Sequence, residues 1–171
     1  MEIVVNDTNI LIDLYNAGLL SYCKLLTLEF RTLDLILNEI EHKDQRNAVQ
    51  QMIDEGSLGV YSLSESQMES VVSLYADYQN ICNLSFVDVS VMTYAKKNCF
   101  RLLTGDKKLR ERAKLENVDV SGILFVIDMF INEAILDKGE LIVALERLLQ
   151  SNVRLPRKLI HERLLKLKSS P

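Results

Sequence analysis

Along this chain, short unbroken apolar runs alternate with longer stretches in which apolar residues return every three or four positions. The first pattern suits strands buried on both faces, the second helices with one buried stripe. Ile3, Val4 and Val5 predict a first strand from Glu2 to Asn6. Ile10, Leu11, Leu14 and Tyr15 then give helical spacing, and beyond Gly18 a second short helix is expected from about Leu19 to Leu28. Arg31 to Leu33 reads as a second strand and Leu35 to Glu41 as a helix. A polar helix from Asp44 to Asp54 stops at Glu55-Gly56, and Gly59 to Leu63 is a short third strand.

The second half continues the alternation. Ser64-Glu-Ser-Gln67 forms a capping box ahead of Met68, Val71, Val72 and Tyr75. Ser85 is a natural N-cap for the apolar run Phe86 to Ala95, which predicts a helix buried on most of its faces. Phe100 to Leu103 predicts a strand, Asp106 beyond it opens another helix, and Val118 to Val120 is a last short strand. Residues 123–136, 140–150 and 156–167 read as helical, with Pro156 in the first turn of the last. Strands alternating with helices predict an α/β fold, a three-layer α/β/α sandwich around a mostly parallel sheet. At 171 residues one domain is expected, with residues 1–120 as the core and 121–171 as a helical C-terminal extension.

Composition narrows the class. Hydrophobic residues make up 48% and charged ones 26%, with two prolines, which excludes a disordered chain. The opening Met1-Glu2 shows no basic stretch before an apolar run, and the most apolar segment, Gly122 to Ile131, is broken by Asp128. A cytoplasmic protein without a membrane segment is the expectation. Cys23, Cys82 and Cys99 are too irregularly spaced for a disulfide framework or a zinc site. The net charge of -4 conceals an asymmetry: residues 1–95 hold four basic and fourteen acidic side chains, residues 96–114 eight basic and two acidic. Lys96, Lys97, Arg101, Lys107, Lys108, Arg110 and Arg112 thus form a basic block beside Asp106, either a phosphate-binding surface or a solvated helix face.

Candidate chemistry lies in four acids at repeated structural positions: Asp7 after the first strand, Glu39 on the helix after the second, Asp88 near a helix start and Asp106 after the fourth strand. If the strands lie side by side, these carboxylates converge at one edge of the sheet. Crowded carboxylates repel unless a cation neutralises them, and hard divalent cations prefer oxygen ligands. Each acid also has a plainer reading. Asp7 and Asp106 suit N-caps, Ser85-Phe-Val-Asp88 reads as a capping box, and Glu39 has a neighbour in Glu41. His42 and His161 are isolated, and there is neither a Gly-rich phosphate loop nor a Gly-x-Ser-x-Gly elbow.

Four stretches resemble the motifs of PIN domains, the metal-dependent ribonuclease fold of the VapC-type toxins. They are Val4-Val-Asn-Asp-Thr-Asn-Ile-Leu-Ile-Asp13, Leu35-Ile-Leu-Asn-Glu-Ile40, Val87-Asp-Val-Ser-Val-Met-Thr-Tyr-Ala95 and Leu102-Leu-Thr-Gly-Asp-Lys-Lys-Leu109. The tail, with Ser121-Gly-Ile-Leu and Arg154-Leu-Pro-Arg-Lys-Leu-Ile, resembles a PIN subgroup with a helical C-terminal extension. The resemblance implies Asp7, Asp88 and Asp106 around Mg²⁺ or Mn²⁺, Glu39 as the further catalytic acid, and Asn9 and Thr104 in support. It implies hydrolysis of RNA, and control of that activity by a small antitoxin protein. It breaks where many members carry another acid soon after the fourth, since Lys107, Lys108, Leu109 and Arg110 follow Asp106. That departure keeps a catalytically silent RNA- or protein-binding module open as the alternative. Leu19, Leu20, Leu25 and Leu26, with Ile10, Leu11 and Leu14, predict apolar surface for a homodimer seam or an antitoxin helix, or else ordinary core.

Overall fold

The computed structural model of the protein describes residues 1–152 and 154–169. A sheet of five parallel strands runs through its centre in the order β3-β2-β1-β4-β5, with β1 Glu2–Asn6, β2 Leu28–Leu33, β3 Leu58–Tyr61, β4 Arg101–Leu103 and β5 Val120–Ser121. Val4 and Val5 of the central strand are wholly buried, as both faces of a covered parallel sheet require. Helices α1 (Thr8–Ala17), α3 (Lys43–Asp54), α7 (Ile123–Asn132) and α8 (Lys138–Ser151) form one packed group. Helices α4 (Glu65–Ile81), α5 (Phe86–Asn98) and α6 (Lys107–Leu115) form another, so the sheet lies inside a three-layer α/β/α sandwich. A four-residue α2 (Asp34–Leu37) follows β2, and α9 (Arg157–Ser169) packs on α8.

The chain leaves β1 for β2 and β3 on one side, then returns to add β4 and β5 on the other. The strand order therefore reverses between β1 and β4, the place where open α/β sheets leave a crevice at their carboxyl ends. Asn6 pairs with Leu103 across that gap, and the Asp7 N–H donates to the Leu103 carbonyl at 3.0 Å. The ladder thus runs one residue past the strand and brings Asp7 beside Thr104.

Several sequence expectations shift in detail. The segment expected as helix from Leu19 to Leu28 is a 3₁₀ turn, Leu20–Leu25, and β2 begins earlier than Arg31, at Leu28. The helix expected over Leu35 to Glu41 ends at Leu37, which leaves Glu39 in a turn. Pro156 immediately precedes α9 instead of lying inside its first turn. The apolar residues expected to leave excess surface are core: Ile10, Leu11, Leu14, Leu19, Leu20 and Leu26 are all buried, and of the group Leu25 alone is exposed. Among the described residues no helix is long and apolar enough to cross a membrane. Of the predicted C-terminal extension, Val153, Ser170 and Pro171 lie outside the described residues.

Candidate active site

Asp7 is the centre of the crevice. It caps α1, with its Oδ1 accepting the Thr8 N–H at 2.7 Å. Its Oδ2 accepts the Thr104 hydroxyl at 2.7 Å and the Asn9 side-chain amide at 2.5 Å. The capping reading and the site reading of Asp7 are therefore both realised by one carboxylate. It is 4% exposed, and burial pushes its pKa up to about 6. The negative charges of Asp88 and Glu39 push it further in the same direction, against the hydrogen bonds from Thr104 and Thr8.

A relay of hydrogen bonds ties the β1 and β4 loops together around it. Besides donating to Asp7, the Thr104 hydroxyl accepts the Asp106 N–H at 3.0 Å. The Asn9 side-chain carbonyl accepts the Gly105 N–H at 2.6 Å. A Cβ on Gly105 would stand 2.9 Å from that Asn9 oxygen, so any side chain here would push Asn9 off its place beside Asp7. The supporting places assigned to Asn9 and Thr104 thus correspond to direct bonds onto Asp7.

The other acids are held by local caps. Asp88 and Ser85 form a reciprocal capping box on α5, through Ser85 N–H to Oδ2 at 2.8 Å and Asp88 N–H to the Ser85 hydroxyl at 3.0 Å. Burial raises the Asp88 pKa, the Ser85 bonds lower it, and the charge of Asp106 raises it. Asp106 caps α6, with Oδ1 accepting the Leu109 N–H at 2.8 Å. Among the described residues, Oδ1 of Asp88 and Oδ2 of Asp106 accept no protein hydrogen bond, so each keeps a lone oxygen for a ligand. Glu39 joins from the β2 side through the Thr8 hydroxyl, which donates to its Oε2 at 2.5 Å. Sequence reading had missed Thr8 as a support, although it stands inside the quoted motif; its signal was a small β-branched hydroxyl between Asp7 and Asn9.

The four acids therefore share one electrostatic neighbourhood, with Asp7 coupled to Asp88 and Glu39, and Asp88 to Asp106. Among the described residues, no three acids stand as a ready-made metal-ligand cluster. The donor set is hard oxygen throughout, and Mg²⁺-like ions keep several waters while taking one or two carboxylates. The residues present fit a cation held on those terms.

The basic block does not form one surface. Lys107, Lys108 and Arg110 open α6 beside Asp106. Lys96 and Lys97 sit in the last turn of α5, roughly 12 Å along the helix from Asp88. Lys96 pairs with Glu116 at 2.6 Å, and Lys97 donates to the Ser70 hydroxyl at 3.1 Å. Arg101 begins β4 at the opposite end of the sheet, bonded to Glu2 and Asp119. Arg112 pairs with Glu116 and lies 4.0 Å over the Tyr78 ring. Lys107 has a loose, exposed pair with Glu111 at 3.7 Å, and charge counting alone could not separate the three residues at the crevice from the four held elsewhere.

A family model described as a PIN domain matches residues 3–169. The chain belongs to the PIN-domain family. PIN domains are usually nucleases and typically use divalent metals. The PAE2754 protein of Pyrobaculum aerophilum, solved by crystallography, is 19% identical and superposes with a TM-score of 0.52. The match covers 74% of this chain and 93% of that one, a likeness of fold. No curated protein matches the chain.

Proposed function

We propose that this PIN-domain protein is an endoribonuclease that uses Mg²⁺ or Mn²⁺ to hydrolyse RNA phosphodiester bonds, as the toxin of a toxin–antitoxin pair. The observation that carries the reading is Asp7: a buried, multiply hydrogen-bonded carboxylate at the strand-order reversal, held close to two further negative charges. A cation bound there would polarise the phosphate and make water a stronger nucleophile. Asp7, Asp88 and Asp106 would hold it directly or through water, and Glu39, steadied by Thr8, would orient the attacking water. The open Oδ1 of Asp88 is suited to take the proton that water loses. The water oxygen bonds to phosphorus as the P–O3′ bond breaks, leaving a 5′-phosphate and, after protonation, a 3′-hydroxyl. Thr8 and Thr104 are both buried beneath the carboxylates they support, so neither hydroxyl reaches a phosphate as a covalent nucleophile. Lys107, Lys108 and Arg110 would meet the phosphates beside the acids.

The absence of a ready-made three-acid cluster among the described residues favours a second reading, a silent PIN-fold module that binds RNA or protein without cutting. One experiment separates the two. Wild type and Asp88→Asn are incubated with a broad RNA set in Mn²⁺ and in chelator, and each is expressed in growing cells. The nuclease reading expects cleavage and growth arrest by wild type, both lost with Asp88→Asn and the cleavage lost with chelator. Intact RNA in every lane, with a folded wild type, would leave the silent module standing. Control by an antitoxin is the further part of this proposal, resting on the VapC resemblance, and expects a small neighbour-encoded protein to suppress the cleavage.

A further inference from the structure

Beside the acids lies a second feature of opposite sign. A cavity of about 350 Å³ opens where Gly105 follows β4 and Gly122 follows β5, and the segment entering α9 closes it with Arg154 and Pro156. Lys107 and Arg110 line the α6 side, so the cavity carries three cations, and none of its lining residues is acidic. Arg110 is anchored by its Nη2, which donates to the Thr104 carbonyl at 2.8 Å, while its buried Nε has no acceptor. A buried donor without a partner is rare in a native fold and is a place for a ligand oxygen. Arg154 stands at the exposed mouth of the cavity, its guanidinium without an acceptor among the described residues and its backbone fixed. Asn152 accepts the Arg154 N–H at 2.9 Å and donates its own amide at 3.0 Å to Asp13, a carboxylate buried in α1.

We propose that this cavity is a phosphate-binding subsite for an RNA strand, contacted by Lys107, Arg110 and Arg154, so that the C-terminal segment forms one wall of the substrate groove. It rests on the nuclease reading for its substrate class. The cavity is reached from the same Gly105-Asp106 loop that carries the fourth acid, so it takes a phosphate neighbouring the one at the acids. Three cations facing an acid-free hollow favour a polyanion, and the adjoining carboxylates repel any strand that the hollow does not hold. The α9 entry therefore positions substrate as well as adding bulk to the fold.

The test measures binding of a short single-stranded RNA by fluorescence anisotropy in chelator, across a salt series, for wild type, Arg154→Ala, Lys107→Ala and Lys24→Ala. Lys24 lies on the 3₁₀ turn at the far end of β2 and controls for bulk charge. Each lost phosphate contact should lower the slope of log affinity against log salt by about 0.7, with a several-fold loss of affinity. Arg154→Ala and Lys107→Ala should show that change and Lys24→Ala should not. Equal slopes for Arg154→Ala and Lys24→Ala overturn the subsite. Amide shifts at Gly105 and Gly122 on adding inorganic phosphate, with none on adding RNA, overturn it in favour of a small-anion pocket. RNA held through Arg154 but uncut in Mn²⁺ upholds the subsite and sinks the nuclease reading; RNA cut equally by wild type and Arg154→Ala does the reverse.

Discussion

Asp7 and Glu116 are both carboxylates among charged neighbours, and the fold moves them in opposite directions. Glu116 receives Lys96, the Tyr78 hydroxyl and Arg112, and the Lys96 ammonium above all holds its pKa down at about 2. Asp7 receives only neutral donors and faces other acids, so burial holds it up at about 6. The first arrangement is complete in itself and joins α4, α5 and α6. The second is incomplete without positive charge. Perturbed carboxylates gather both at structural ion-pair networks and at functional sites, and here the sign of the shift tells the two apart. It also explains why Lys96 and Arg112 are poor candidates for RNA contact: their charge is already neutralised within the protein.

The largest effect that could break this contrast is the pH dependence of the metal-free protein. An unfolded Asp titrates near 3.9, whereas Asp7 in the fold titrates at about 6. Below pH 4 both states are protonated and Asp7 contributes no difference. Between pH 4 and 6 the unfolded chain releases a proton that the folded chain retains, so stability falls as pH rises, and the full penalty applies above pH 6. The swing is on the order of 3 kcal/mol. Denaturant unfolding of wild type and Asp7→Asn in chelator should show the variant gaining on wild type by that amount between pH 4 and pH 7. Saturating Mn²⁺ should restore wild type alone. A difference that stays flat over this range would mean that Asp7 carries no electrostatic strain.

Glu116→Gln tests the other side of the contrast with a smaller effect. Glu116 is partly exposed, so solvent screening reduces its ion pairs to about 1 kcal/mol. Its stabilisation is present above the unfolded pKa of about 4.3 and disappears as pH falls through about 2. Urea unfolding at pH 7 should show Glu116→Gln as the weaker protein, with the two converging by pH 2. RNA cleavage per folded molecule should be unchanged. A variant that folds normally yet loses cleavage would place Glu116 within the functional machinery and erase the distinction.

Much of this arrangement was legible beforehand, for identifiable reasons. β1 and β4 announce themselves because a covered parallel strand favours an unbroken apolar run, whereas β2, Leu28-Glu-Phe-Arg-Thr-Leu33, is broken by charge and shows only its last residues. Ser64-Gln67 and Ser85-Asp88 mark helix starts because a capping box is a local device that distant packing does not alter. The α/β/α sandwich and the strand-end positions of Asp7 and Asp106 follow from those signals. Less accessible was whatever depends on distant partners. The basic block reads as one patch in sequence, but α5, β4 and α6 carry its members to separate ends of the sheet. Leu19, Leu20 and Leu26 read as surplus because sequence spacing does not show that the 3₁₀ turn folds back between α1 and α3, where they are buried. Arg154 gave no sign of facing the β4 loop, since Asn152 and Asp13, which fix it, are 139 positions apart.

Glu39 shows the same boundary at smaller scale and supplies the finest test. Apolar spacing extends a helix through it, yet α2 stops at Leu37 and the next residues turn. The turn presents an exposed glutamate whose hold on the site is one hydrogen bond from Thr8. Thr8→Val keeps the shape and β-branching of the side chain while removing that donor. A single hydrogen bond to a charged acceptor contributes about 1.5–3 kcal/mol when buried, and less where the acceptor is exposed, as Glu39 is. Stability should therefore change by under about 1 kcal/mol, while cleavage falls several-fold because Glu39 is no longer steadied beside Asp7. Adding Glu39→Gln to Thr8→Val should then lower the rate by less than Glu39→Gln does in wild type, since both changes act through one contact. Full additivity of the two would show that Thr8 and Glu39 act separately, and would leave Asp7 with only Asp88 as its functional neighbour.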